Sequence, residues 1–102
     1  MSVFSTRLKQ ARRAAGISQE WLGILVGIDE MSASARMNQY ERGKHEPDFA
    51  TIERLAYVLK VPASFFFAAG DEEAELLRAF HPLDQTSKEA VLRCAQTQER
   101  RD

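Results

Sequence analysis

The residue types in this chain that could do chemistry are hydrogen-bond donors rather than reactants. Gln19, Arg36, Gln39, Arg42 and Lys44 fall within one 26-residue stretch. Nothing near them has the pattern of a catalytic group. His45 and His81 lie 36 positions apart, and no metal-ligand spacing, Gly-rich phosphate loop or nucleophile elbow occurs. Cys94 stands alone on a stretch that reads as helix, where cysteine is more often a small hydrophobe than a nucleophile. As the sole cysteine it excludes an intrachain disulfide and fits a reducing compartment. These features predict no enzyme, no metal and no cofactor. Guanidinium and carboxamide groups can instead make paired hydrogen bonds to a partner's polar edge.

Such donors need a scaffold, and nearly every segment reads as helix. No stretch alternates with period two for long, so the expected fold is all-α. Val3–Ala15 places Phe4, Leu8, Ala11 and Ala15 at helical spacing, with Gly16 as C-cap. A second helix opens at Ser18, has Glu20 in its first turn, runs through Leu22, Leu25 and Val26 and stops at Gly27. After Pro47, Phe49, Ile52, Leu55, Ala56 and Leu59 recur at three- and four-residue steps, an amphipathic signal. A short apolar helix is expected at Ala63–Phe67. Two more are expected at about Asp71–Phe80 and Ser87–Arg100, the last with Val91, Cys94, Ala95 and Gln98 on one side. Gly70 divides the chain into a domain of residues 1–69 and a C-terminal helical extension of residues 70–102.

Charge is uneven along this order. Residues 1–70 hold nine Lys and Arg against seven Asp and Glu; residues 71–102 hold five against eight. Arg7, Lys9, Arg12 and Arg13 precede the first acid, a cluster that reads equally as a footprint for nucleic acid and as a solvated helix face. No apolar run approaches ~18 residues and no apolar signal opens the chain, so neither export nor a membrane span is expected, and the location reads as cytoplasmic.

Between the second and third segments lies a more specific pattern. In "SQEWLGILVGI", Gly23 is the small residue that two steeply crossing helices need at their closest approach. Gly27 tolerates φ > 0 at the turn, and Ile28 can fill the corner. Met37 and Tyr40, three apart, suit the core side of the next helix. A helix-turn-helix has these requirements. "MNQYERGKHEPDF" and "TIERLAYVLKVPASFFF" follow. Together these stretches resemble the XRE-type helix-turn-helix family of phage repressors and Cro proteins, over about residues 4–69. Within it, "SASARMNQYERGKH" looks most like the controller proteins of restriction–modification systems. The resemblance implies a five-helix, lambda-repressor-like DNA-binding domain.

The stretch "GIDEMSASARMNQYERG" departs from the family pattern. Gly27 to Gly43 spans sixteen positions, four more than usual, with the surplus around Asp29–Ser32. Either the turn is longer, as an ordered loop away from DNA, or the recognition helix starts up to one turn earlier, capped by Asp29 or Ser32. The earlier start is the favoured expectation. At 100° per residue, Ala33, Met37 and Tyr40 mark the buried side. Ser32, Ala35, Arg36 and Gln39 lie opposite, with Asn38 on the flank. Arg36 suits a guanine edge, Gln39 an adenine edge and Ala35 a thymine methyl, while Ser32 and Ser34 sit near the helix start as small donors. Arg36 reads alternatively as a phosphate contact or an ion-pair partner, and Asn38 as a structural or phosphate-contacting group.

The family resemblance implies phosphate contacts at Gln19, Arg42 and Lys44; each also reads as an ordinary surface residue. His45 reads as a loop residue. Trp21 replaces the usual polar residue, and packing on the first helix is the first expectation for it, ahead of a sugar–phosphate contact or full exposure.

The C-terminal third lies outside the motif. Phe66, Phe67, Leu76, Leu77, Phe80, Val91 and Leu92 are expected to form an isologous homodimer interface, since paired units read a palindromic operator. The partners are then double-stranded operator DNA, a second copy and, in a regulator, RNA polymerase. The sequence does not separate activator from repressor. An alternative is an antitoxin-like regulator whose C-terminal helices hold a protein partner. A further alternative is an adaptor with this fold and no DNA, although the five donors would then be unneeded.

Overall fold

A computed structural model describes residues 2–99. Six α-helices and a 3-10 helix follow one another: α1 (Val3–Ala15), α2 (Gln19–Leu25), α3 (Glu30–Glu41), α4 (Phe49–Leu59), the 3-10 helix (Ala63–Phe67), α5 (Asp71–Phe80) and α6 (Gln85–Thr97). No strand occurs among the described residues. The final helix, expected to reach Arg100, ends at Thr97; Arg100 itself lies outside the described residues.

Local chemistry sets the boundaries. Ser2, Ser18, Asp29, Asp48 and Asp84 each accept a backbone N–H in the first turn of the helix that follows. The α5 helix has no side-chain cap but carries Asp71, Glu72 and Glu73 at its positive end. Gly16 closes α1 at φ 70°, and Gly27 turns the chain between α2 and α3 at φ 90°.

Phe4 and Leu8 of α1, Leu22 of α2, Met37 of α3, Leu55 of α4, and Phe65 and Phe66 form one core. The rings of Phe4 and Phe66 lie 5.4 Å apart, and those of Phe65 and Phe66 meet edge-on at 5.9 Å. Phe66 is therefore a core residue and not part of any interface: its ring is fully buried against Phe4 and Phe65. Phe49, read as core from its spacing, is exposed at the first turn of α4, where the helix has not yet reached the core. Trp21 is 51% exposed instead of packed away.

The α5 helix docks through Ala74, which is buried, with Leu77 packed against the core. Beyond it, α6 buries none of its residues. The Cα radius of gyration, 15.5 Å, exceeds the ~13 Å of a compact chain of this length. The axes of 52 × 29 × 23 Å give the elongated outline. No described helix is long and apolar enough to cross a membrane.

Candidate nucleic-acid interface

The third helix is the element that can present side chains to a groove, and α2 sets its placement. A Cβ on Gly23 would stand 2.8 Å from the Cβ of Ala33 and 2.8 Å from its carbonyl oxygen. Only glycine allows this approach without displacement. Ile28 is partly buried in the corner between the two helices. The four surplus residues are resolved in favour of a longer helix: α3 begins at Glu30, and Asp29 caps it by accepting the Met31 N–H at 3.1 Å.

The helix wheel divides α3 cleanly. Ala33, Met37 and Tyr40 are buried, as the spacing predicts. Ser34, Ala35 and Arg36 are exposed, and Ser32, Asn38 and Gln39 are half-buried. Arg36 and Gln39 share a shallow hollow with Tyr40, His45 and Glu46. Among the described residues no acid lies within ion-pair reach of Arg36, so its guanidinium is available. Arg42 and Lys44, just past the helix, are exposed.

A buried polar joint locks this helix from behind. Glu41 is 2% exposed and accepts Arg12 Nε at 2.5 Å and Arg12 Nη2 at 3.1 Å. The remaining Arg12 nitrogen donates to the Ile17 carbonyl at 2.9 Å. Gln19 Nε2 donates to Glu41 Oε1 at 3.1 Å and to Asn38 Oδ1 at 3.3 Å. The amide protons of Gln19 thus brace α2 against α3, and a phosphate contact through that side chain requires exchanging one of these bonds. Asn38 takes part in this joint as an acceptor, which accords with the structural one of its two readings. Two charges are tolerated in this buried site because both Glu41 oxygens accept hydrogen bonds, three in all, and the Arg12 nitrogens all donate.

A second buried cation, Arg7, is 4% exposed. It donates to the carbonyls of Ala68 at 2.8 Å and Ala69 at 3.2 Å, to Gln10 at 2.9 Å and to Asp71 at 3.0 Å. It ties α1 to the start of α5. Two of the four N-terminal cations are therefore structural, which leaves Lys9 and Arg13 for any long-range attraction.

Sequence reasoning missed Arg7, Arg12 and Glu41. One signal was present for the last: Glu41 falls one turn after Met37, on the buried side, where a carboxylate demands a cation. Of the expected interface residues, Phe67, Leu76 and Leu92 are exposed, and Leu77, Phe80 and Val91 are partly buried. Lys88 lies over the Phe80 ring at 5.4 Å from its centroid.

A short helix crossing a second helix through a glycine contact, with polar side chains on the second helix's outer face, is a helix-turn-helix unit. Residues 3–64 match the family model described as a helix-turn-helix domain, and the chain belongs to that family. It is 31% identical over 72% of its length to the SPbeta prophage-derived uncharacterized HTH-type transcriptional regulator YonR of Bacillus subtilis, covering 65% of that protein. It is 40% identical over 68% of its length to the uncharacterized HTH-type transcriptional regulator RghRB of the same organism, covering 48% of it. The chain thus spans between about half and just under two thirds of these curated relatives. Among solved structures it resembles that of the transcriptional regulator BswR, with a TM-score of 0.87 and 48% identity, covering 96% of this chain and 95% of that one. That coverage takes in the C-terminal helices as well as the helix-turn-helix.

Proposed function

We propose that this protein is a sequence-specific, DNA-binding transcriptional regulator that acts as a homodimer on a palindromic operator. The observation that carries the reading is the state of α3. Its inner face is fixed by Ala33, Met37 and Tyr40, while Arg36 and Gln39 stand on the outer side, with no ion-pair partner for Arg36 among the described residues. In this reading Arg36 and Gln39 read bases, with Ser32, Ser34 and Ala35 closer to the helix start. Arg42 and Lys44 hold the strand backbone and set orientation. Gln19 and Asn38 contribute mainly by positioning α3.

The dimer is supported by the exposed apolar residues Phe67, Leu76 and Leu92 beyond the helix-turn-helix. A two-fold pair sets two recognition helices about one turn, ~34 Å, apart along the duplex. Bound at a promoter, the dimer either blocks RNA polymerase or offers it a contact. Control of a restriction–modification system is one setting that the α3 sequence suits.

Selection of bound duplexes from a random pool, with the affinity of the winners followed across a salt series, tests this. A palindromic winner, losing several kcal/mol on mutation, is expected. Weak binding indifferent to sequence would refute it and turn attention to a protein partner for the C-terminal helices.

A further inference from the structure

We infer that Met31 is a specificity-determining residue of α3 that reads a thymine 5-methyl group in the major groove. The inference rests on the DNA-reading function proposed above. Met31 is 93% exposed, the highest value among the large apolar side chains that stand out from the described surface. Folding gives no reason for an apolar residue there. Its backbone, by contrast, is fixed. The Asp29 carboxylate holds the Met31 N–H at 3.1 Å, and Ala33, two residues on, is wedged against Gly23.

Position on the helix points outward. Met31 precedes Ala35 by one turn, so the two form an apolar strip on the exposed side, beside the flank of Asn38. Charge then selects which part of DNA this end meets. Asp29 and Glu30 put two carboxylates at the amino end of α3, and phosphates repel them. The cations Arg42 and Lys44 stand at the opposite end. With α3 in the major groove, as the proposed function has it, the first turn of the helix meets base edges, where a carboxylate can accept from a cytosine amino group. Among major-groove edges, the thymine methyl is the apolar feature. The flexible, polarizable methionine side chain suits contact with it. The surplus residues 29–32 supply this turn, which gives the longer helix a direct consequence for the bases it reads.

The test uses the duplex that wild-type protein selects from a random pool. Each thymine is replaced in turn by deoxyuridine, which removes only the methyl group. Dissociation constants are measured for wild type, Met31→Ala and Met31→Leu. For wild type, one thymine position is expected to cost about four-fold per half-site when demethylated. Met31→Ala should be indifferent to that replacement and keep every other preference, while Met31→Leu retains the penalty. An unaltered thermal midpoint in both variants checks that the fold is intact. Deoxyuridine penalties that are the same in wild type and Met31→Ala, or absent in wild type, would overturn the role of Met31 alone. A pool that yields no preferred sequence would overturn the DNA-reading function and this inference with it.

Discussion

Arg36 and Lys44 are both exposed cations near the same helix, yet their removal is expected to fail in different ways. Arg36 sits on the outer face of α3 with Gln39 beside it, where two parallel donors can match one base edge. Arg36→Ala should cost roughly 1–3 kcal/mol on the preferred duplex and relax the preference at one position. Competition between the selected duplex and its single-base variants measures this, and an equal loss on every sequence would remove Arg36 from base reading. Lys44 lies past the end of the helix and exposed to solvent. Lys44→Ala should weaken all sequences alike and lower the slope of log affinity against log salt by about one. The exposed donors were legible in the sequence because helix periodicity alone decides which side of α3 they occupy. Arg7 and Arg12 were not, although they belong to the same N-terminal cluster. Their partners lie 61 and 29 positions away, at Ala68 and Glu41. Periodicity assigns a face and says nothing about what another helix brings to it.

At the scale of elements, the placement of α3 depends on a missing methyl group where it crosses α2 and on one buried ion pair to α1. Gly23→Ala places its Cβ 2.8 Å from the backbone oxygen of Ala33. Backbone cannot yield as a flexible side chain would, so a loss of about 1–3 kcal/mol is expected. Thermal unfolding should register it as a lower midpoint, by roughly 4–8 °C per kcal/mol. Arg12→Leu leaves the Glu41 carboxylate without its main partner at 2% exposure, at a cost of about 3–5 kcal/mol. The double variant Arg12→Leu with Glu41→Leu should recover part of that loss, read from chemical denaturation as a double-mutant cycle. Helix capping adds a pH dependence. Asp48 has its carboxyl held below the ordinary 3.8 by hydrogen bonds from Thr51, and Asp84 likewise by Ser87. Both pKa values are lower in the folded state, so the capping contribution is complete above about pH 4 and fades as pH falls through the depressed values. Titration of the Asp48 carboxyl by NMR should give a midpoint below that of the unfolded chain. The glycine-turn and capping devices were visible in the sequence because they act within a few residues. Phe49 and Phe66 were misread for the opposite reason. Apolarity and spacing do not say which ring reaches the core: Phe66 packs against Phe4 and Phe65, whereas Phe49 stands on the exposed first turn of α4.

At the scale of the whole molecule, the C-terminal helices pose an energetic problem that the proposed second copy would solve. A 13-residue helix such as α6 is marginal in water unless one face is packed. In the single chain α6 buries no residue and is supported by little more than the Asp84 cap and the Lys88 contact to Phe80. The α5 helix before it is held firmly, by Ala74 in the core and by Asp71 on the buried Arg7. A secured stem carrying a bare helix is a suitable geometry for pairing across a two-fold axis, because each copy can cover the other's apolar face. The excess of acid beyond residue 70 favours keeping such a pair away from the phosphates that Arg42 and Lys44 are proposed to hold. Replacing both Leu76 and Leu92 by glutamate should therefore convert the protein to a monomer in sedimentation equilibrium. Both side chains are more than half exposed, so the helix-turn-helix should keep its fold and its thermal midpoint should move chiefly through loss of the dimer. Affinity for a palindromic duplex should fall to that for a single half-site, since the linked second contact is lost. If the double variant still sediments as a dimer, the two-fold contact lies elsewhere on the molecule. If wild type is itself monomeric and binds one half-site, the palindrome has no structural counterpart, and α6 is left for a different protein to cover.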